Sequence, residues 1–143
     1  MPYKFITDIA TADAAFEAWG ESMEELFISS SEALINLMVE NPLVITAAVS
    51  KTFTIEEETP ELLLYALLDE LIFLKDAEQL LTRVEKAETY EADGKVRCTI
   101  SLFGELINPE RHHLTVDVKA VTLHQFKVER TESGWTARVI VDI

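Results

Sequence analysis

Two carboxylates in this chain stand where the local sequence gives little structural reason for charge. Asp13 interrupts Ala10-Thr11-Ala12 and Ala14-Ala15-Phe16, a run of small and apolar residues. An ionised carboxylate is costly to bury there unless it is paired or bound to a cation. Small neighbours let a cation, or a second backbone, come close. The alternative is that Asp13 caps a turn through an Asx hydrogen bond. Asp142 is followed by Ile143, so its side chain and the Ile143 α-carboxylate set two negative groups within one residue of each other. A terminal acid is commonly just solvated. If the strand bearing Asp142 lies beside the one bearing Asp13, three hard oxygen donors converge, a set suited to calcium, magnesium or manganese.

Other reactive side chains are few. His112 and His113 are adjacent, so on a strand they would point to opposite faces and could not chelate one ion together. His124 falls in a strand-like pattern, where a lone histidine is more often a satisfied structural group than a ligand. A metal-dependent hydrolase would use Asp13 as ligand and His124 as base, but no motif orients a nucleophile. Cys98, on an apolar alternating face without a cationic neighbour in sequence, reads as an inert core thiol. There is no Gly-rich phosphate loop, nucleophile elbow, paired-cysteine zinc spacing or metalloprotease helix.

Capping and periodicity give the elements that must position these acids. Ser22-Met23-Glu24-Glu25 is a capping box, and Met23, Leu26, Phe27, Leu34, Leu37 and Met38 then line one helical face until Asn41-Pro42. Thr59-Pro60-Glu61 opens a second helix, apolar from Leu62 to Leu74 and therefore covered nearly all round, with Asp69 and Glu70 on its wet side. Period-two alternation marks strands at 3–9, 14–19, 49–56, 90–106 and 114–118, with 121–128 extending the last of these. Asp93-Gly94 marks a hairpin turn, and Ser133-Gly134 precedes a final strand that directs Trp135, Ala137, Val139 and Val141 to one side. The expected architecture is a single α+β domain over residues 1–143, a largely antiparallel sheet with two main helices packed on one face.

Composition narrows the partners. The chain has 143 residues, 48% of them hydrophobic, and a formal charge of −14, so it can bury a core and carries an acidic field. That charge argues against direct nucleic-acid binding and against anionic membranes, and favours a basic protein partner or divalent cations. A single cysteine and the lack of a signal-peptide core or membrane-length apolar run point to a soluble, cytoplasmic protein.

Several stretches, in order, resemble the archease family. They are Thr11-Ala12-Asp13, the helix from Glu61-Leu62-Leu63-Leu64-Tyr65 through Asp69-Glu70-Leu71-Ile72-Phe73, Gly104-Glu105 with Arg111-His112, Val118-Lys119-Ala120-Val121-Thr122-Leu123-His124, and the ending Trp135 to Asp142-Ile143. The resemblance implies an accessory protein rather than an enzyme. Archeases promote guanylylation and multiple turnover of RtcB-type RNA ligases, GTP- and metal-dependent enzymes that join tRNA halves. Some are described as chaperone-like modulators of tRNA cytosine methyltransferases. By motif match the family's acidic metal site falls on Asp13 and Asp142, and a functional lysine on Lys119. Two departures stand out: Ala10 replaces the family's usual histidine, with Asp8 the nearby substitute donor, and Ala15 replaces a usual glycine.

Overall fold

The computed structural model describes residues 2–7 and 13–143. Helix α1 (Met23–Met38) starts where the Ser22 side chain accepts the Glu25 N–H at 3.2 Å. It ends at Met38, ahead of the Asn41-Pro42 pair, which instead opens a 3-10 turn at Pro42–Val44. Helix α2 (Pro60–Glu78) starts on the Thr59 side chain, which accepts the Leu62 N–H at 3.1 Å. It stops at Gln79 in the left-handed region, φ 54°. The wet side of α2 is wider than its composition suggests: Leu62 and Phe73 are exposed together with Asp69, while Leu63, Leu64, Leu67, Leu68 and Leu71 are buried.

The strands form two antiparallel sheets. The first contains β1 (Tyr3–Ile6), β2 (Asp13–Gly20), β6 (Ala120–Val121), β7 (Lys127–Thr131) and β8 (Gly134–Asp142), in the order β1-β2-β8-β6 with β7 also on β8. The second contains β3 (Val49–Glu57), β4 (Leu80–Ala92) and β5 (Lys95–Leu106), in the order β3-β5-β4. Asp93 and Gly94, both at positive φ, close the β4–β5 hairpin. Gly104 must lack a side chain, because a Cβ there would lie 2.2 Å from the Leu81 carbonyl oxygen on β4.

Both helices touch strands of both sheets, which is where the core sits. Phe16, Ala18, Ala137, Val139 and Val141 of the first sheet and Cys98, Ile100 and Leu102 of the second close on Leu26, Phe27, Leu34, Leu64, Leu67 and Leu68 of the helices. Each such leucine contributes about 1.5–3 kcal/mol by leaving water. No described helix is long and apolar enough to cross a membrane.

Two strand expectations are corrected. Residues 114–118 alternate but form no strand: Leu114 makes one bridge to Val39, the Thr115 N–H reaches the Met38 carbonyl at 2.9 Å, and the rest is extended chain without a ladder. Alternation needs only extended backbone and one buried side, here Val118, and that does not require a pairing strand. The stretch 121–128 is also discontinuous. Ala120 and Val121 pair with Asp142 and Val141, and pairing resumes at Lys127 opposite Arg138, so residues 122–126 stand against only Val139 and Ile140. The excess bulges outward as a turn around His124 and Gln125. His112 and His113 are not on a strand either; they end the short helix α3 (Pro109–His112) and its cap.

Candidate metal centre

Register brings the two acids together. In the β2–β8 ladder Asp13 is the direct partner of Asp142, followed by Ala14 with Val141, Ala15 with Ile140, Phe16 with Val139 and Glu17 with Arg138. Directly opposed residues of an antiparallel pair share a face, their Cβ atoms about 4.5–5.5 Å apart. Phe16 and Val139 turn into the core, so Asp13 and Asp142 project from the opposite, outer face. One step along that face, Ala15 and Ile140 are 1% and 4% exposed, an apolar floor beside the acids. Ala15 sits comfortably in strand backbone, which has no need of glycine at this point. Further along, Glu17 engages Arg138 at 3.3 Å and Lys4 at 3.6 Å, so these cations are already committed.

The third strand of the site is β6. Ala120 pairs with Asp142, and the Lys119 N–H also donates to the Asp142 carbonyl, at 2.8 Å. Two consecutive residues thus face one, the arrangement of a β-bulge, which re-aims side chains. Lys119 is exposed beside the acid pair. The Thr122 N–H donates to the Ile140 carbonyl at 2.9 Å, which sets the Thr122 side chain on the same face as Ile140 and Asp142. Its hydroxyl oxygen is buried without a hydrogen-bond partner among the described residues. Lys75 of α2 holds this segment in place: its ammonium binds Asp117, Asp76 at 2.7 Å and the Val118 carbonyl at 2.9 Å. Burial works against that charge, but the hydrogen bonds it donates to Asp117 and Asp76 outweigh it and hold the Lys75 pKa above its ordinary value.

Not every residue singled out in the sequence joins this face. His124 is exposed in the turn beyond β6. Asp8 and Ala10 lie outside the described residues. Ile143 follows Asp142 directly and packs its side chain against the core, which ties down the end of β8. Sequence reasoning gave Thr122 no role; only its place in the β6–β8 pairing shows that it shares the acid face. Cys98 is buried, and desolvation pushes its thiol up to about 12.

A separate polar cluster is structural. His112 is wholly buried; its Nδ1 accepts the Asn108 N–H at 2.8 Å, so Nε2 carries the proton it donates to Glu105 at 2.9 Å. Glu105 also accepts from the Thr46 N–H and hydroxyl and pairs with Arg111, whose Nη1 reaches the Val44 carbonyl at 2.7 Å. This network ties β5 and α3 to the turn after α1. Burial, reinforced by the neighbouring Arg111 charge, lowers the His112 pKa.

Known proteins resemble this chain in sequence and in fold. The Archease protein family (MTH1598/TM1083) matches residues 3–143. The chain belongs to the archease family. Protein archease of Pyrococcus furiosus is 36% identical over 134 residues, covering 93% of this chain and 94% of that one. Protein archease of Archaeoglobus fulgidus is 35% identical over 145 residues, covering all of both. The solution structure of Methanobacterium thermoautotrophicum protein 1598 superposes with a TM-score of 0.85 at 32% identity over 99% of each chain. The crystal structure of an archease, possible chaperone, from Thermotoga maritima shares the fold, with a TM-score of 0.58 at 20% identity over 96% of this chain and 97% of that one.

The archease acid pair suits a hard divalent cation on the chemistry of its donors. Asp13 and Asp142 offer carboxylate oxygens on one face, and the orphaned Thr122 hydroxyl lies on that face too. Among the described residues no three His, Cys, Asp or Glu side chains group to hold an ion. Two carboxylates would therefore need oxygens from Thr122, Ile143 or solvent to fill six or more positions.

Proposed function

We propose that this archease-family protein is an accessory factor of an RtcB-type RNA ligase, promoting the ligase's guanylylation and repeated turnover through a divalent cation held by Asp13 and Asp142. The observation that carries this reading is the direct cross-strand opposition of the two acids, with the apolar Ala15–Ile140 pair as the next step along their face. Two like charges so placed repel one another, an arrangement that makes sense where a cation is to be shared. Asp13 and Asp142 bind, the β2–β8 ladder fixes their spacing, and the Ala15–Ile140 floor keeps water from one side. The oxygens of Ile143 would add donors, and Asp8 is a further candidate ligand. Lys119, held beside Asp142 by the bulge and by Lys75, offers a cationic group to a phosphate of the partner's substrate. A bound calcium, magnesium or manganese ion supplies positive charge to phosphate oxygens during nucleotidyl transfer. The formal charge of −14 favours docking on a basic active-site rim.

The test adds the protein to a cognate ligase and measures guanylylation and multiple-turnover joining. Stimulation by the wild type, lost in Asp13→Asn and Asp142→Asn, is expected; unchanged guanylylation and turnover would sink the reading. Loss of all hydrolytic activity on rigorous purification would dispose of the hydrolase alternative. Capture of a tRNA cytosine methyltransferase in place of a ligase would instead favour the chaperone-like alternative.

A further inference from the structure

Away from the acid pair, a groove runs between α1 and the rim of the first sheet. Its wider part, about 650 Å³, is walled by Pro2, Trp19, Glu25, Ile28 and Trp135 among others. Through Pro2, Ile28 and Ser29 it continues into a second part of about 470 Å³ that reaches Leu43. Trp19, 39% exposed, stands at one end and Leu43, 71% exposed, at the other. Large apolar side chains left in water along a concave strip are characteristic of a protein-binding surface. The other wall is acidic. Glu21 and Glu25 line the first part, and Glu32 and Glu40 the second. Arg83, the one cation lining either part among the described residues, is taken up by Glu32 in two bonds of 2.9 and 3.3 Å. Glu21, Glu25 and Glu40 are exposed and bind no cation among the described residues.

We propose that this groove docks a basic segment of the partner protein, its apolar side chains seated against Trp19 and Leu43 and its Lys or Arg side chains against Glu21, Glu25 and Glu40. From Met23 to Met38 α1 is about 24 Å long, the reach of roughly seven extended residues, and Glu21 and Glu40 lie just beyond its two ends. A second copy of this chain fits poorly, because each copy carries a formal charge of −14 and the groove offers its own acids to that field. The inference rests on the accessory-factor reading only in supposing a protein partner.

The chain has two tryptophans, and both line the groove, so their emission reports on it directly. The probe is a fluorescein-labelled nine-residue peptide alternating Arg with Leu and Phe, compared with a version carrying Glu for Arg. The Arg peptide should shift the tryptophan emission saturably and raise the label's anisotropy, while the Glu peptide does neither. Trp19→Ala and the double change Glu21→Lys with Glu25→Lys should each weaken binding roughly tenfold. The lysine changes are at exposed positions that leave the core intact, and Glu91→Lys with Glu110→Lys, an equal charge reversal outside the groove, should weaken it far less. Equal weakening by both lysine pairs, binding without an emission change, or sedimentation showing self-association lost in Trp19→Ala would overturn the proposal. Asp142→Asn should bind the peptide normally. A wild type that binds the peptide but does not stimulate a ligase would defeat the ligase reading and leave the groove standing.

Discussion

Replacing Asp142 with Asn should stabilise the protein in chelator and abolish its stabilisation by divalent cations. Asn keeps the shape of the side chain and removes one of two charges that face each other directly across β2 and β8. Like charges so placed cost about 0.2–1 kcal/mol. For a domain of this size each kcal/mol moves the melting temperature by about 3–5 °C. In excess chelator Asp142→Asn should therefore melt up to about 5 °C above the wild type. With calcium or manganese at a hundred times its dissociation constant, the wild type gains about 2.7 kcal/mol, or about 10 °C, and the order reverses. Asp13→Asn should behave alike, and the double variant should gain little over either single one, since the repulsion is already gone. Circular-dichroism melts in chelator and across a titration of each cation read all of this. Asn variants that melt lower in chelator, or an equal rise of wild type and variants with added cation, would refute a cation shared across this face.

Other perturbations address the parts that hold the site. The lowered pKa of His112 means that the unfolded chain binds more protons below the ordinary histidine value, so stability should fall as pH drops from about 6.5 toward 5. His112→Gln should flatten that window in melts taken against pH, and a steeper slope in the variant would contradict it. Lys75→Met removes the bonds to Asp117, Asp76 and the Val118 carbonyl. It should cost about 1–3 kcal/mol and speed amide exchange at Val121 and Thr122 more than in β5. Cys98, with its thiol pushed up to about 12, is roughly one part in ten thousand thiolate at pH 8 and should react with a disulfide reagent only on unfolding. Leu67→Ala, at a buried α2 position, should cost about 2–5 kcal/mol by urea titration and leave cation binding in place.

Much of the fold was legible in local chemistry. The caps at Ser22 and Thr59, the Asp93-Gly94 turn and the alternation from Trp135 to Val141 each act over a few residues, and each appears where the sequence puts it. The misreadings at 114–118 and 121–128 share one cause. Alternation reports an extended chain with one wetter side, but whether such a chain pairs depends on a neighbour far away in sequence. The division of the strands into two sheets is likewise beyond local pattern, because both sheets bury the same kinds of residue against the same helices.

The same distinction governs the site. By itself the sequence determined that Asp13 and Asp142 are acids in unexpected surroundings, that the chain is strongly acidic, and that its ordered motifs are those of the archease family. Only the tertiary structure decided that the two acids oppose each other, that Thr122 shares their face while His124 sits in an exposed turn, and that both tryptophans border one acidic groove. Those are matters of ladder register between segments more than a hundred residues apart, fixed when Phe16 and Val139 enter the core together and oblige every second neighbour, the acids included, to point the other way.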